Sequence, residues 1–179
     1  MDDAQILIQF KNSSSQHDAF TQLVKKYQQK LYWHIRRLVI DHEDTNDVLQ
    51  NTFIKVWNAL SGFKGESQLY TWLYRIATNE SLNFIEQKKR KTMSDINELS
   101  DEFMSKLKAD PVFDSNRLEC QLQLAIQQLP EKQKVVFNLR YYDEMSYEDM
   151  SRILETSAGA LKASYHHAAK KVEDFIKKI

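Results

Sequence analysis

Residues 146–172, SYEDMSRILETSAGALKASYHHAAKKV, have the pattern of two helices joined by a short turn. A capping-box-like start over residues 146–149 opens a short helix that we expect to end near Leu154. Residues 155–159 include Gly159 and predict a tight turn. Apolar residues then recur at helical spacing to the end of the stretch. A short helix, a turn and a longer helix form the helix-turn-helix signature, whose second helix lies in the major groove of DNA.

The polar face of that last helix offers candidate contacts to DNA. Lys162 and His166 lie one turn apart and are placed for base edges or phosphates. Lys170 and Lys171 are placed for phosphates further along. The alternative is an ordinary surface helix with solvated lysines. The motif alone leaves the two interpretations at even weight.

Helical periodicity extends over most of the remaining chain. Residues 61–65, SGFKG, hold two of the three glycines and predict a loop. Helices are predicted near residues 3–11, over 17–40, from Asp44 (as N-cap) to Leu60, over 67–91, from Leu118 to Leu129, and from Pro130 to about Tyr142. We therefore predict an all-α protein of two helical domains: a helical bundle over residues 1–91 and a helix-turn-helix domain over residues 117–179.

Residues 92–116 have no sustained period and carry six acidic side chains against two basic ones. We predict an acidic linker there. The whole chain has 25 basic and 25 acidic side chains and contains no apolar run long enough to span a membrane. Its first residues lack the pattern of a signal peptide, so we expect a cytoplasmic protein. The single cysteine, Cys120, excludes an intrachain disulfide and a multi-cysteine zinc site.

Aromatic and basic residues alternate around the start of the 67–91 helix. Such a mixture suits unstacked bases and a phosphate track, and the helix ends in the basic run 88–91. The alternative is that Trp72 belongs to the core and that the basic end complements the helix dipole. We favour the core for Trp72, whereas Lys64, Tyr70 and Tyr74 fall off the buried stripe.

No catalytic or metal-binding motif stands out. The five histidines lie outside zinc-helix and phosphate-loop patterns, and the acidic residues around 41–47 lack calcium-loop spacing. We expect no enzyme activity, no metal and no cofactor. The polar face of the second long helix, at Asp44, Asp47, Gln50 and Asn51, is better explained as a protein-docking surface.

Three segments resemble one family. DHEDTNDVLQNTFIKVW (41–57) and FKGESQLYTWLYRIATNESLNFI (63–85) resemble region 2 of bacterial RNA polymerase sigma factors. LPEKQKVVFNLRYYDEMSYEDMSRILETSAGALKASYHHAAKKV (129–172) resembles their region 4. Only a short linker separates the two regions, as in the extracytoplasmic-function (ECF) group. The resemblance implies a transcription initiation factor that binds core RNA polymerase, directs it to −35/−10 promoter elements and assists −10 melting.

The resemblance also implies surfaces for each partner. Region 2 of the family binds the β′ subunit, and a loop that matches residues 63–68 captures a flipped base of the −10 element. Region 4 reads the −35 element and docks on the β subunit, and anti-sigma factors are common partners. The matching polymerase-binding residues are Asp44, Asp47, Gln50, Asn51 and Lys55, where Asn51 replaces the usual Glu. The −10 residues are Phe63, Lys64, Tyr70, Thr71, Tyr74, Arg75, Thr78, Asn79 and Asn83, with Lys88 and Lys89 from the basic run.

The −35 residues depart from the family pattern. The matching positions are Lys162, Ala163, His166 and His167, with Lys170 added from the polar face. Family members often carry Arg near Ser164, His167 and Ala169. The missing guanidinium groups remove bidentate recognition of guanine, so we predict −35 contacts that are weaker or differently specified and that depend more on phosphates and DNA shape.

Two other functions stay open on the residues alone. A conventional helix-turn-helix regulator would bind an operator without polymerase, but it leaves the aromatic loop and the 41–57 face without a role. A non-DNA adaptor would use both halves for protein docking, and its function would be indifferent to charge reversal at Lys162 and Lys170.

Overall fold

The computed structural model describes residues 1–91, 105–106, 109 and 116–178, and within these ranges the regular structure is helical. The predicted all-α fold with a helix-turn-helix is confirmed. The predicted acidic linker, residues 92–116, falls mostly on positions that lie outside the described residues. The helices are α1 (Asp3–Phe10), α2 (Gln16–Val39), α3 (His42–Ala59), α4 (Leu69–Lys91), α5 (Arg117–Gln127), α6 (Glu131–Tyr141), α7 (Tyr147–Leu154) and α8 (Ala158–Lys177), with a 3₁₀ turn at Leu60–Gly62.

The N-terminus of α3 lies earlier than the sequence pattern predicts. The N-cap is Asp41, not Asp44, and its carboxylate accepts a hydrogen bond from the backbone N–H of Asp44 at 3.0 Å. Burial of Asp41 opposes its ionisation, but this backbone bond and Lys106 outweigh that effect and lower its pKa. Lys106 Nζ lies 3.1 Å from Asp41 Oδ2. Because the helix begins three residues earlier, Asp44 lies in its first turn. A carboxylate there still interacts favourably with the helix dipole.

The turn between α7 and α8 is shorter than predicted. Ser157 caps α8 by accepting a hydrogen bond from the N–H of Ala160, so Gly159 lies inside the helix. The left-handed conformation that ends α7 is adopted by Glu155, with φ of 53°. The predicted start of α7 is confirmed, because Ser146 Oγ accepts from the N–H of Asp149 at 3.1 Å.

Helix α2 is the centre of the first half of the protein, residues 1–91. Helices α1, α3 and α4 pack around it, and it buries Leu23, Leu31 and Ile35 completely. Phe10 at the end of α1 meets the Trp57 ring edge-on, with centroids 5.2 Å apart. The aromatic contacts hold α1 and α3 together across α2.

The apolar core continues from the first half into the second half, residues 116–178. Helix α7 packs on α4, and α6 packs on α2. One apolar cluster therefore contains Leu31 and Leu73 of the first half together with Leu139, Met150 and Ile153 of the second. A separate cluster joins α5, α6 and α8. Because the larger core is shared, the two halves should unfold as one cooperative unit.

The shared core predicts a coupled response to substitution. Met150→Ala removes a fully buried side chain and should lower the free energy of unfolding by about 2–5 kcal/mol. All three tryptophans lie in the first half. In Met150→Ala, the urea midpoint measured by their fluorescence should nevertheless fall by the same amount as the midpoint measured by far-ultraviolet circular dichroism. Ile8→Ala, at a position 71% exposed, is the control and should change stability by less than about 0.5 kcal/mol. An unmoved tryptophan transition in Met150→Ala would contradict the shared core.

Candidate functional site

The polar face of α3 presents a continuous surface. Asp47, Gln50, Asn51 and Lys55 are exposed at helical spacing on the outside of the bundle. The ammonium group of Lys55 forms an ion pair with Glu80 of α4. These predicted residues therefore share one accessible face, which is what a docking surface requires.

Asp44 differs from the other predicted docking residues in its surroundings. Its carboxylate is half-buried and accepts from Lys88 Nζ at 2.6 Å, which joins α3 to the basic end of α4. Sequence reasoning missed Ile54, which is 53% exposed one turn from Gln50 and Asn51. An available signal was its position off the buried stripe of Val48, Thr52 and Val56.

The loop before α4 forms one wall of a cavity of about 460 Å³. Phe63 and Trp72 pack against each other at its side, with ring centroids 5.2 Å apart. Trp72 is half-buried: it packs against the apolar core, as predicted, and its exposed side lines the cavity. The lining residues are Gly62, Phe63, Lys64, Glu66, Ser67, Thr71, Trp72, Arg75 and Arg152.

The predicted −10 residues of α4 and of the loop before it fall into three groups by exposure. Arg75, Asn79, Asn83, Lys88 and Lys89 are exposed, as is Lys64 in the loop, whereas Phe63 and Tyr70 are half-buried. Thr71, Tyr74 and Thr78 are buried. Thr78 Oγ1 donates to the carbonyl of Tyr74 at 2.7 Å and lies 2.8 Å from His34 Nε2 of α2. The buried threonines and Tyr74 are thus internal in this structure.

The expectation that Tyr74 falls off the buried stripe is wrong. Its side chain packs against His34, with ring centroids 4.9 Å apart, and its hydroxyl donates to Asp143 Oδ1 at 3.1 Å. Burial, followed by the nearby Asp143 carboxylate, raises the pKa of Tyr74 far above its usual value. Tyr70 is half-buried and donates its hydroxyl to Asp149, and burial together with this bond raises its pKa too. Both tyrosines are covered because α7 and the turn before it pack on α4.

The predicted −35 residues occupy the outer face of α8. All five are exposed on its first four turns, while Leu161, Ala168 and Val172 bury the opposite face. His166 and His167 lie side by side, with ring centroids 6.1 Å apart. Helix α8 is the second helix of the helix-turn-helix, the one that enters the major groove in that motif. Its first turn contains no acidic residue. The set is Lys162, Ala163, His166, His167 and Lys170.

Four acidic residues of the second half were missed as contacts to α4. Glu155 forms an ion pair with Arg75, and Glu131 accepts from Lys89 Nζ at 2.6 Å. Asp143 and Asp149 receive the tyrosine hydroxyls described above. Asp149 had an evident local role in the capping box, which concealed its contact to residues almost eighty positions away. Local sequence patterns carry no signal for such contacts.

Within residues 1–91, 105–106, 109 and 116–178, no three His, Cys, Asp or Glu side chains are grouped to hold a metal ion. Among the described helices, none is both long and apolar enough to cross a bilayer. Cys120 is a buried thiol on α5.

Comparison with known proteins agrees with the geometry. Residues 23–91 match the family described as Sigma-70 region 2, and residues 121–172 match Sigma-70, region 4. The RNA polymerase sigma-H factor of Pseudomonas aeruginosa is 34% identical over 163 residues, which span 87% of this chain and 84% of that protein. The ECF RNA polymerase sigma-E factor of Escherichia coli K12 is 32% identical over 164 residues, spanning 87% and 85%.

A solved structure shows the same fold. The sigma factor RpoE in complex with the anti-sigma factor NepR, from Bartonella quintana, superimposes with a TM-score of 0.71 at 22% identity. The match covers 88% of this chain and 96% of that one. On these matches, the chain belongs to the sigma-70 family and, within it, to the ECF RNA polymerase sigma factors, the initiation factors that direct polymerase to promoters.

Proposed function

We propose that this sigma factor uses three separate surfaces, one for each step of initiation. The α3 face binds the β′ subunit of core polymerase, the loop 63–68 with α4 holds the −10 strand, and α8 reads the −35 element while its domain docks on the β subunit. Residues 1–91 then act as region 2 and 117–179 as region 4, with 92–116 as the connector. The observation that carries the proposal is the aromatic-sided cavity beside the loop 63–68.

The cavity supports capture of a flipped base. Extracting a base from the stack costs a few kcal/mol, which stacking and hydrogen bonds in a pocket offset. The half-buried Phe63 and Trp72 offer ring surface, and Lys64 and Arg75 stand at the same cavity with charges suited to phosphates. Asn79 and Asn83 continue along the exposed side of α4. Stacking groups beside cations are what a melted strand needs.

The α3 face supports docking on a protein partner. Exposed polar side chains surround Ile54, and this combination matches an apolar interface centre with a polar rim. Asn51 carries an amide where the family usually has a glutamate, so the face is less acidic. Asp44 and Asp47 supply its negative charge. An acidic helix face of this kind favours a basic partner surface.

The α8 face supports a −35 contact dominated by phosphates. Lys162 and Lys170 contribute positive charge, and the imidazole rings of His166 and His167 lie beside them on the same face. Lysine and histidine do not form the forked pair that arginine makes with guanine. We therefore expect binding of modest sequence selectivity that weakens with salt.

Other partners follow from the relatives. The Bartonella quintana RpoE structure contains an anti-sigma factor, and this supports an anti-sigma partner for the present chain. We infer a cytoplasmic location, because core polymerase and promoter DNA are there. We also infer that the chain has no catalytic role of its own, since its proposed surfaces bind and position.

The direct test is transcription in vitro with core polymerase and a random promoter library. The transcripts should start downstream of two spaced motifs, and the −10 motif should be better defined than the −35 motif. A conventional operator-binding regulator would instead bind duplex DNA tightly without polymerase and start no transcripts. That result would overturn the proposed function.

The docking surface predicts a charge-reversal effect. Asp47→Lys should weaken binding to core polymerase about tenfold, because it places a cation opposite a basic surface. Asp18→Lys makes the same charge change on an exposed residue of α2, away from the α3 face, and should leave the dissociation constant within about twofold. Fluorescence anisotropy of labelled sigma factor titrated with core enzyme measures both. Equal loss in the two variants would argue against the α3 face.

The −10 surface predicts a separation of binding from opening. Asn79→Ala should leave core binding unchanged and slow promoter opening about tenfold, since an amide that contacts the melted strand contributes about 1–2 kcal/mol. The fluorescence of 2-aminopurine placed in the −10 element follows opening. Gln22→Ala, an amide truncation on exposed α2, is the control. If Asn79→Ala instead abolishes polymerase binding, the assignment of this face to DNA is wrong.

A further inference from the structure

One arginine holds the turn between α6 and α7. The guanidinium of Arg140, on the last turn of α6, donates from Nη1 to the carbonyl of Met145 at 2.8 Å. The backbone N–H of Met145 donates in turn to the carbonyl of Leu139 at 3.1 Å. Glu144, directly before Met145, adopts a left-handed conformation with φ of 51°. Both backbone groups of Met145 are therefore bound to the end of α6, which fixes where the chain leaves the turn.

The same guanidinium reaches the first residue of α7. Its central carbon lies 4.9 Å from the centre of the Tyr147 ring, within the range of a cation–π interaction. Tyr147 begins α7, directly after the N-cap Ser146. Arg140 therefore joins α6 to α7 twice, once through the backbone of the turn and once through a ring on the next helix.

Helix α8 lies against both of these helices. Helices α6 and α7 each pack extensively on α8, but they share few contacts with each other. Direct packing therefore contributes little to the angle between α6 and α7, and the turn with its arginine supplies most of that constraint. Because α8 packs on both helices at once, the angle between them decides how α8 is seated.

Tyr165 connects α8 to both helices. Its ring stacks on Phe137 of α6, with centroids 5.7 Å apart and planes 24° apart. It also packs against both apolar clusters. Burial, followed by the nearby Tyr147, raises the pKa of Tyr165, whereas Arg140 acts in the opposite direction. Both groups are therefore close enough to Tyr165 to act on its hydroxyl.

The rotation of α8 about its axis decides which of its atoms face DNA. Tyr165 directly precedes His166 and follows Lys162 by three residues, so it lies among the proposed −35 contacts. A helix with its side chains has a radius of about 5–6 Å, so a rotation of about 20° moves the side-chain ends by about 2 Å. A hydrogen bond to a base edge does not survive such a displacement. A lysine on its long, flexible stem can still reach a phosphate.

We propose that Arg140 is a positioning residue for −35 recognition. It fixes the angle between α6 and α7 and, through Tyr165, the rotation of α8, so that the side chains of α8 meet base edges. Arg140 acts through these residues and not through DNA, so its loss costs sequence selectivity and spares phosphate binding. This inference rests on the proposed role of α8 in −35 binding.

The test compares two promoter fragments bound by holoenzyme that contains the full-length protein. One fluorescent fragment carries the −35 motif recovered from the promoter library, and in the other that motif is scrambled. Arg140→Gln should lower the ratio of the two affinities by about threefold or more, with the affinity for the scrambled fragment unchanged. The slope of log affinity against log salt should stay the same, because no phosphate contact is lost.

Arg117→Gln is the matched control. It removes the same charge from an exposed position on α5, in the same half of the protein, and should leave the ratio of affinities unchanged. An equal fall in the ratio in Arg117→Gln and Arg140→Gln would overturn the proposal, because the loss of one positive charge would explain both.

Two further variants test the same contact with less disturbance of the fold. Tyr147→Leu removes the ring beside the guanidinium but leaves the bond to Met145, and it should also lower the ratio. Arg140→Lys keeps the charge and a donor for the carbonyl, and it should recover part of the ratio lost in Arg140→Gln. The double variant Arg140→Gln with Tyr147→Leu should lose less than the product of the two single losses, because both act through one contact.

The pattern of losses distinguishes positioning from simple destabilisation. If Arg140→Gln and Tyr147→Leu both leave the ratio unchanged, or if both weaken binding to the two fragments equally, the proposal is wrong. The second pattern would mean that these residues only keep the domain folded.

Lys162→Gln separates this inference from the proposed function. A lysine that contacts a phosphate should, when removed, weaken binding to both fragments and reduce the salt slope by about one. If Lys162→Gln has this effect and Arg140→Gln leaves the ratio unchanged, only the positioning role is wrong. If Lys162→Gln changes neither affinity nor slope and the scrambled motif binds as well as the intact one, α8 does not read the −35 element and the positioning role falls with it.

Discussion

The position of one half of the protein on the other is constrained by a single nearly buried carboxylate, that of Asp143. A nearly buried charge is costly unless neighbouring groups compensate it. All of the partners named for Asp143 come from the other half: the Tyr74 hydroxyl, the Arg37 guanidinium and the His34 ring. Arg37 also stacks over Tyr142, 4.0 Å from its ring centre. In an open form water would replace these partners, so the apolar core around Met150 supplies most of the net attraction.

The helices could be predicted from the sequence because their physical causes are local. Apolar spacing located α2, and the serine-led start located α7. The errors came where two local solutions compete. Asp41 and Asp44 are both acceptable caps, and only the backbone geometry chooses Asp41. The turn was predicted over residues 155–159, yet Ser157 already caps the next helix and Gly159 lies inside it. The outer face of α8 was also predictable from local sequence. The apolar residues of the helix recur on one side, so the polar residues must lie on the opposite, exposed side.

The contacts between the halves could not be predicted, because nothing in a local pattern indicates the partner of a distant side chain. Tyr74 illustrates this limit. Its ring packs against His34 of α2, and Asp143 and α7 of the second half also lie against this part of α4. The family resemblance gave Tyr74 a role toward DNA, and the structure gives it a role in packing. Both roles would fall on the same surface of α4, which the second half contacts in this structure.

The aromatic contact between α1 and α3 has a consequence for the smallest piece of this protein that can fold. The match to region 2 begins at residue 23, after α1 has ended. Yet Ile6 and Phe10 of α1 are buried, and Phe10 packs on Trp57. A fragment trimmed to the shared family segment would expose this apolar face to water and invite self-association. The autonomous folding unit is therefore larger than the segment that defines the family, and α1 is an integral part of it.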